Sequence, residues 1–415
     1  MAGDHSISAS KWLTVVGIGE DGVDGLGDGA RQAIAEAEFV FGGKRHLSLA
    51  KALIKGEQRA WPAPFDSKML QIQALSGRKV CVLASGDPFL HGVGVTLARK
   101  IAVEEMRVIP APSAFSLAAA RLGWALQDVE PVSLHGRPID LIRPLLHPNA
   151  RILALTSDGE APAAIAALLA GAGFGPSRLA LLEALGGPDE RVRTARADAF
   201  DLENVNPLNV LAIEVEAGRA ARILPFASGL ADDLFEHDGQ ITKREIRTLT
   251  LSALAPRRGE LLWDIGAGSG SISVEWMLAH PACRAIAIEA DPERAARARR
   301  NAAILGVPDL KIVEGAAPGA LAGLPAPDAI FIGGGGSDPG VLDAAIAALP
   351  AGGRLVANAV TLEMEALLLA CRAERGGDLI QIAISRAAPI GAMTGWRPAM
   401  PVTQWRWTKP HGGAA

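Results

Sequence analysis

The clearest pattern in the chain is Leu261-Leu-Trp-Asp-Ile-Gly-Ala-Gly-Ser-Gly-Ser-Ile-Ser-Val-Glu275. An apolar run ends at Ile265, three glycines follow at alternate positions, and a helical pattern then begins. This order predicts a buried strand, a tight turn and a helix. Glycines in such a turn let the backbone approach a ligand where a Cβ atom would clash. The stretch therefore predicts a ligand-binding loop at the end of a strand.

A carboxylate ends the next predicted strand, where Glu289 follows the apolar run 285–288. At that position it would hold the two ribose hydroxyls of a nucleoside. A dinucleotide-binding fold shares this feature, but Ser271 stands where G-x-G-x-x-G has its third glycine. Asp264 is unfavourable beside a pyrophosphate and favourable beside a sulfonium or amino group. The pattern thus favours S-adenosylmethionine (SAM) over a dinucleotide, and a turn without a ligand remains the third alternative.

The order Asp-x-Gly-x-Gly-x-Gly resembles motif I of the Rossmann-like, class I SAM methyltransferases. Upstream, residues 238–247 are DGQITKREIR, in which Thr242 and Glu245 predict a capping box at a helix start. Together these blocks resemble the decarboxylating precorrin methyltransferases of cobalamin (vitamin B12) biosynthesis. The glycine run 333–336 follows another predicted strand and is either a ligand loop or a flexible turn. The resemblance implies SAM contacts at Thr242, Gly266, Ala267, Gly268, Ser269, Gly270, Glu289, Gly315 and Ala316.

The first half opens with a different glycine pattern, Val15-Val-Gly-Ile-Gly-Glu-Asp-Gly22. It matches G-x-G-x-x-G, but Glu20, Asp21 and Asp24 would surround a pyrophosphate with like charge. The next predicted strand, 39–41, ends without an acidic residue for a ribose. We therefore predict that this pattern does not bind a dinucleotide.

Two further loops follow in the first half. Gly86-Asp87-Pro88 comes after the apolar run 79–83, and Ser113 precedes an alanine-rich helix as an N-cap would. V-G-I-G, then S-G-D-P, then P-x-P-S-A resemble, in this order, the tetrapyrrole methylase family, which binds SAM between two α/β lobes. The family has proline after its first glycines, where this chain has Glu20-Asp21. The resemblance implies SAM contacts at Gly17, Gly19, Gly86, Asp87, Pro88, Ser113 and Ala114.

Short apolar runs alternate with helical patterns along almost the whole chain, which predicts an α/β fold with largely parallel sheets. A stretch near 222–240 is rich in proline, glycine and clustered charge and predicts a domain boundary. We expect a two-lobed, tetrapyrrole methylase-like (class III) domain over 10–222, a linker over 223–237 and a Rossmann-like class I methyltransferase domain over 238–410. The predicted strands are 13–18, 79–83, 151–155, 179–182, 210–215, 261–265, 285–288, 329–332, 354–357 and 402–407.

Composition narrows the classes of protein. The chain has 415 residues, 49% of them hydrophobic and 21% charged, which is typical of a globular protein of two or three domains. The net charge of −4 disfavours a nucleic-acid partner, and no apolar run is long enough to span a membrane. Cys81, Cys283 and Cys371 lie far apart without metal-ligand spacing, which favours a reducing cytoplasm and no metal site. We also expect the chain to self-associate.

The paired resemblances imply two SAM-dependent methyl transfers to one precorrin, with one SAM site in each domain. They assign C-5 to the first domain, and C-15 with loss of CO2 from the ring C acetate to the second. Because a precorrin carries many carboxylates, we expect cationic or N–H donor groups around it, although each candidate is equally a solvated surface charge. The candidates are Lys44, Arg45, His46, His91, His135, Arg137, Lys243, Arg244, Arg247 and Arg397.

Three other classes stay open. An NAD(P)-dependent oxidoreductase is disfavoured by Asp264 and Ser271. A non-catalytic SAM or tetrapyrrole sensor would keep the SAM loops without a shaped substrate pocket, and two complete sets of loops disfavour it. A methyltransferase for another acceptor, such as RNA, is the nearest alternative, and the weak basic character of the chain disfavours it.

Overall fold

The computed structural model describes residues 11–61 and 69–411. The chain forms two compact units that divide between Arg222 and Ile223, except that Asp140–Leu146 groups with the second unit. We refer to them as unit 1 and unit 2. None of the helices described is long and apolar enough to cross a membrane.

Unit 1 alternates strands and helices along its whole described length. Its elements are β1 (Leu13–Ile18), α1 (Asp28–Glu36), β2 (Phe39–Gly42), α2 (Lys44–Leu49), β3 (Glu57–Ala60), α3 (Met69–Gln73), β4 (Val80–Ser85), α4 (Val93–Ala98), β5 (Met106–Ile109), α5 (Ala114–Leu122), β6 (Glu130–Ser133), β7 (Arg151–Leu155), α6 (Ala161–Gly171), β8 (Arg178–Glu183), β9 (Arg191–Arg196) and β10 (Asn209–Glu214).

These strands form two sheets, in agreement with the predicted two-lobed architecture. The first sheet has the order β3-β2-β4-β1-β5 and is parallel throughout. In the second, β6-β7-β10-β8-β9, only β6 and β7 are parallel. The prediction of largely parallel sheets is therefore wrong for the second sheet. Apolar runs report burial on both faces, but they carry no information on the direction of the neighbouring strand.

The burial pattern of β1 explains why its sequence is apolar at nearly every position. Leu13 and Val15 belong to the core on one face of the first sheet, and Val16 and Ile18 belong to the core on the other. Successive side chains of a strand point to opposite faces, so a strand covered on both sides needs apolar residues at both parities.

Unit 2 is a single α/β layer structure with a small hairpin. Its elements are α7 (Arg244–Leu254), β11 (Leu261–Ile265), α8 (Ser271–Leu278), β12 (Arg284–Glu289), α9 (Pro292–Ile304), β13 (Lys311–Glu314), β14 (Ala329–Ile332), α10 (Val341–Ala348), β15 (Arg354–Ala359), α11 (Leu362–Arg375), β16 (Asp378–Ile382), β17 (Ser385–Ile390), β18 (Met393–Pro398) and β19 (Val402–Thr408).

The main sheet of unit 2 has the order β13-β12-β11-β14-β15-β19-β16, in which β13 to β15 are parallel and β19 is antiparallel to both its neighbours. The chain order reverses between β11 and β14, and ligands of open α/β sheets bind at such a switch point, outside the carboxyl ends of the strands. The predicted Rossmann-like fold is confirmed. The predicted last strand is also confirmed, with Trp405 and Trp407 buried in the core.

The segment 223–237 packs on unit 2. Leu224, Leu230 and Phe235 are buried in the same core as α7, α8 and the main sheet. The sequence predicts a linker here because proline, glycine and charge dominate, and three separated apolar residues do not form a periodic pattern.

The predicted capping box at Thr242 is wrong. Helix α7 begins at Arg244, its N-cap is Lys243, and no side chain caps it. Thr242 remains outside the helix, and its carbonyl accepts a hydrogen bond from Arg247 Nη1 at 2.5 Å. The segment before the helix is thus fixed by a buried arginine from the helix itself.

Candidate active sites

The first cavity has a volume of about 430 Å³ and lies within unit 1, lined by residues from both sheets. Its walls include the ends of β1 and β4 and the loops that follow β6 and β7. The structure brings together on this cavity the predicted site residues Gly19, Arg45, His46, Gly86, Asp87, His91, Ser113, Ala114 and His135. Lys44 and Arg137 are exposed, and Gly17 and Pro88 are not among the lining residues.

Backbone packing alone requires a glycine at Gly17, the first glycine of the pattern in unit 1. A Cβ atom there would lie 1.9 Å from the Gly86 carbonyl oxygen and 2.6 Å from the Ala111 nitrogen. A glycine is therefore required where the end of β1 touches the backbone of two neighbouring loops. The residues that follow Gly17, from Ile18 to Glu20, line the cavity. That this loop does not bind a dinucleotide stays a prediction.

The loop after β4 and the loop before α5 lie against each other. Gly86 has φ +53°, and a Cβ atom on it would lie 2.9 Å from the Pro112 carbonyl oxygen. Asp87 Oδ1 accepts the Phe89 N–H at 2.8 Å and so closes its own turn. The prediction that Ser113 caps α5 is confirmed, since its hydroxyl accepts the N–H of Ser116.

On the same cavity, the predicted residues Arg45 and His46 form a polar cluster with Ser85, which was not predicted. Arg45 pairs with Glu20, and its Nη2 donates to the Ser85 hydroxyl at 2.8 Å. His46 Nε2 lies 2.7 Å from that hydroxyl, and burial followed by the Arg45 charge lowers the pKa of His46 to about 4. The signal for Ser85 was its place at the end of β4, directly before the glycine loop.

Two further lining residues, Thr156 and Asn209, were also missed. The Thr156 hydroxyl donates to Asn209 Oδ1 at 2.7 Å, and both side chains are buried. His135 Nδ1 lies 3.1 Å from the Thr156 carbonyl oxygen. Thr156 follows β7 directly and Asn209 begins β10, so a polar residue at a strand end was the available signal.

The second cavity has a volume of about 610 Å³ and lies at the carboxyl ends of β11, β14 and β15 in unit 2. The predicted site residues on it are Thr242, Lys243, Gly266, Ala267, Gly268 and Ser269. Asn358, at the end of β15, and Arg294 and Arg386 also line it and were missed. The predicted residues that do not line it are Arg244, Arg247, Gly270, Glu289, Gly315, Ala316 and Arg397.

The two glycine runs of unit 2 pack on each other at this cavity. Gly266 has φ +70°, and a Cβ atom on it would lie 2.4 Å from the Gly334 carbonyl oxygen. Gly333 and Gly334 line the cavity as well. Gly270 has φ +73° and is the N-cap of α8. It therefore shapes the loop without lining the cavity.

Two carboxylates support the glycine loop. Glu289 Oε2 accepts the Gly268 N–H at 2.7 Å, and its Oε1 accepts the Asp291 N–H at 3.0 Å. Asp264 Oδ2 accepts the N–H and the hydroxyl of Ser273 at 3.1 and 2.7 Å. Burial raises the pKa of Asp264 to about 6, with a further contribution from the Glu289 charge. Both carboxylates are thus fixed at the loop by short bonds to its backbone or its helix.

Two buried polar atoms beside this loop have no partner. Asp264 Oδ1 and the Ser269 hydroxyl are buried without a hydrogen bond in the part of the chain that the structure describes. Buried polar atoms normally have partners, so these two suit a ligand that brings hydrogen-bonding groups to the loop.

The prediction that Arg247 contacts substrate is wrong, because its side chain is fully buried. It pairs with Glu275 and Asp232 and donates to the carbonyl oxygens of Leu230 and Thr242. Its partners come from the segment 230–242 before α7 and from Glu275 on α8, which the local sequence pattern could not reveal. Arg247 holds the segment that lines the second cavity in place.

The cations that line the second cavity are only in part the predicted ones. Arg294 pairs with Asp238 at 2.9 Å, and Arg386 on β17 pairs with Glu245. Arg397 is exposed on β18, opposite Arg386 in the hairpin. Lys243 lines the cavity as predicted.

The cysteines take no part in either cavity as far as the described residues extend. Burial raises the pKa of the Cys81 thiol to about 12, and Cys283 is buried as well. Within residues 11–61 and 69–411, no group of three or more His, Cys, Asp or Glu side chains is placed to hold a metal ion.

Comparison with known proteins assigns the two halves of the chain. A family model for tetrapyrrole (corrin/porphyrin) methylases matches residues 12–201, and one for the precorrin methyltransferase domain matches residues 233–409. The fold, the two glycine-lined cavities and these matches define a methyltransferase enzyme built from two α/β units.

A protein from Sinorhizobium sp., precorrin-6Y C(5,15)-methyltransferase (decarboxylating), is 66% identical over 400 residues, 96% of this chain and 97% of that protein. The chain belongs to this family, and the families predicted from the motifs are confirmed.

Two relatives correspond to only part of the chain. The cobalt-precorrin-7 C(5)-methyltransferase of Salmonella typhimurium is 33% identical over 46% of this chain and 94% of its own length. A probable cobalt-precorrin-6B C(15)-methyltransferase (decarboxylating) of Pyrobaculum calidifontis is 37% identical over 44% of this chain and 98% of its own length. Each of these two proteins is named for one of the two methylations, at C(5) or at C(15) with decarboxylation.

Proposed function

We propose that the chain binds one SAM molecule in each cavity and transfers both methyl groups to a precorrin. Unit 1 methylates C-5, and unit 2 methylates C-15 and removes CO2 from the ring C acetate. The observation that carries the proposal is the presence of two separate cavities, each with glycine loops at strand ends, on one chain. The two partial relatives, named for C(5) and for C(15) with decarboxylation, support this division.

Each unit promotes methyl transfer by aligning SAM with the acceptor carbon more than by activating a nucleophile. SAM supplies a methyl group on a positively charged sulfur, and a reduced tetrapyrrole carbon is already electron-rich. The barrier therefore depends on holding the two reacting carbons in line and on excluding water. In unit 1 the rigid Gly86–Asp87 turn and the capped start of α5 provide such fixed walls.

In unit 2 the support comes from carboxylates behind the glycine loop. Glu289 holds the Gly268 N–H and is placed at the end of β12, where a carboxylate accepts hydrogen bonds from ribose hydroxyls. One oxygen of Asp264, beside the same loop, has no hydrogen-bond partner among the residues that the structure describes. Lys243, Arg294 and Arg386 on the cavity are suited to the carboxylates of a precorrin.

The test is to incubate the purified protein with SAM and a reduced precorrin and to record the product mass. We expect two added methyl groups and the loss of one CO2, and two SAM molecules bound per chain by calorimetry. One methyl without loss of CO2 would contradict the role given to unit 2. No change in mass with SAM still bound would exclude a precorrin acceptor and make RNA the next acceptor to test.

Two matched variants assign each reaction to its unit. Asp87→Asn in the first cavity should remove C-5 methylation alone, and Gly268→Val in the second should remove C-15 methylation and CO2 release alone. A variant that removed both reactions would contradict the division of labour. Self-association, a cytoplasmic location and the absence of a nucleic-acid partner stay predictions from the sequence.

A further inference from the structure

Methyl transfer to C-5 has to release a proton, and this inference rests on the function proposed for unit 1. Position 5 of a tetrapyrrole is a bridge carbon between two pyrrole-derived rings and carries one hydrogen. Once its π-electron pair has bonded the methyl carbon, conjugation returns only when that hydrogen leaves as a proton. The chain has no tyrosine, so the titratable groups on the first cavity are carboxylates, histidines and one arginine.

Two of the three histidines on this cavity are poorly placed to take the proton. His46 Nε2 already accepts from the Ser85 hydroxyl and from Arg45 Nη2, at 2.7 and 3.0 Å, and arginine can only donate. Burial, followed by the charge of Arg45, also lowers the pKa of His46. His91 has no hydrogen-bond partner among the described residues, and only the edge contact of its ring with Phe115 orients it.

The loop that carries His135 is bonded to the end of β7 on both sides of the histidine. The Leu134 N–H donates to the Leu155 carbonyl at 2.9 Å, and the Gly136 N–H donates to the Ser157 hydroxyl at 2.9 Å. The backbone on either side of the imidazole is therefore fixed, as a proton acceptor in a preorganised site requires.

A backbone carbonyl also fixes the tautomer of His135. The Thr156 carbonyl oxygen, 3.1 Å from Nδ1, can only accept, so the ring hydrogen lies on Nδ1 and the lone pair on Nε2. Thr156 is itself held by its bond to Asn209, and all three residues line the cavity. His135 is also exposed, which gives an accepted proton a path to water.

We propose that His135 is the catalytic proton acceptor for C-5 methylation. The bridge carbon gains a bond to the methyl carbon, and the electron pair of the broken carbon–sulfur bond stays on sulfur. The C–H electron pair of the bridge carbon then returns to the conjugated system, and the proton bonds to Nε2 of His135. The imidazolium gives this proton to solvent, so one proton is released for each methyl transferred.

The two carboxylates on the cavity already have partners within the protein. Glu20 is paired with Arg45, and Asp87 accepts the Phe89 N–H. The groups that share the cavity with His135 are thus Glu20, Arg45, His46, Asp87 and His91.

The experiment uses the full chain with SAM that carries a 13C-labelled methyl group, so that NMR resolves the C-5 and C-15 methyls. His135→Gln should slow C-5 methylation by about 100-fold or more in a single turnover, the usual contribution of a positioned base. SAM binding to both units and C-15 methylation with CO2 loss should be unchanged. His147→Gln, at a histidine of unit 1 that does not line the cavity, should stay within about threefold of the wild-type rate.

Chemical rescue separates catalysis from structure. In His135→Ala, added imidazole should restore part of the C-5 rate in a pH-dependent manner. A C-5 rate in His135→Gln within about threefold of wild type would overturn the proposal. So would weakened SAM binding to unit 1 with no rescue, which would assign His135 a structural role. If the wild-type protein makes neither methylated product, the proposed function fails instead, independently of His135.

Discussion

Gly266 and Gly268 stand two positions apart in one loop, yet a side chain would meet different surroundings at each. Both have a left-handed φ, which costs another residue about 1–2 kcal/mol. A Cβ on Gly266 would lie 2.4 Å from the Gly334 oxygen, whereas one on Gly268 meets nothing nearer than the Gln240 oxygen at 3.9 Å.

We therefore expect Gly266→Ala to lower the free energy of unfolding of unit 2 by more than about 3 kcal/mol, and Gly268→Ala by about 1–2 kcal/mol. Urea denaturation of both variants and the wild type measures the difference. Equal losses would mean that the Gly333–Gly334 backbone moves aside at little cost.

Asp264 should give unit 2 a stability that falls as pH rises. Burial raises its pKa from the ordinary 3.8 to about 6, so over this window the folded state keeps a proton that the unfolded chain has released. The stabilising effect of the neutral carboxyl is complete below the lower value and lost above the higher one. Between these two limits, the contribution of Asp264 to the free energy of unfolding changes by about 3 kcal/mol.

Asp264→Asn removes this dependence, because its amide oxygen still accepts from Ser273 and carries no charge. We expect the variant's free energy of unfolding, relative to wild type, to increase by about 2 kcal/mol between pH 4 and pH 7. Urea titrations at four pH values measure it. A difference that stays constant with pH would show that Asp264 does not titrate in this range.

The sequence predicted the positions of the glycine turn and of the strand-end carboxylate in unit 2 because both depend on local geometry. The SAM contacts assigned to these residues stay predictions. Glycines after a strand and a carboxylate at the next strand end require only a turn and a neighbouring strand, and both are visible locally. The role of Arg247 was predicted wrongly because its ion-pair partners, Asp232 and Glu275, are remote in the sequence. No pattern around Arg247 indicates that they pair with it. Arg386 was missed for a similar reason, since the hairpin of β17 and β18 brings it to the second cavity.

At the scale of the element, two helix starts that look alike in sequence differ in structure. The Ser113 hydroxyl accepts from the Ser116 N–H at 3.1 Å, whereas no side chain caps α7. Ser113→Ala should therefore cost about 1 kcal/mol of stability, and Thr242→Ala less than about 0.5 kcal/mol. Thermal unfolding of the two variants compares them directly. A loss of about 1 kcal/mol in Thr242→Ala would restore the capping box predicted from the sequence.

Strand positions were predicted more accurately than strand directions. Apolar runs located β1, β7, β11 and β14 at their observed bounds, since burial on both faces demands them. The direction of β10, antiparallel to both β7 and β8, depends on how connections cross the second sheet. That information lies in the topology of the whole unit and not in any single run.

At the scale of the whole molecule, the start of unit 2 determines whether its core is complete. Leu224, Leu230 and Phe235 are buried in that core. Burying three such side chains contributes about 4–9 kcal/mol, which approaches the total stability of an ordinary domain. The backbone N–H groups of Gly229 and Leu230 also donate to Glu275, the buried partner of Arg247.

A cut after residue 237 should therefore unfold unit 2, although the sequence predicts a linker up to that point. We expect a fragment 223–415 to show a cooperative thermal transition and to bind SAM by calorimetry. A fragment 238–415 should show neither, because the Arg247–Glu275 pair would lose its backbone partners at Gly229 and Leu230. The core would also lose its three apolar side chains. Both fragments lack Asp140–Leu146, so the comparison isolates the segment 223–237. Equal transition midpoints would establish that this segment is a linker after all, and that the core of unit 2 is complete from residue 238.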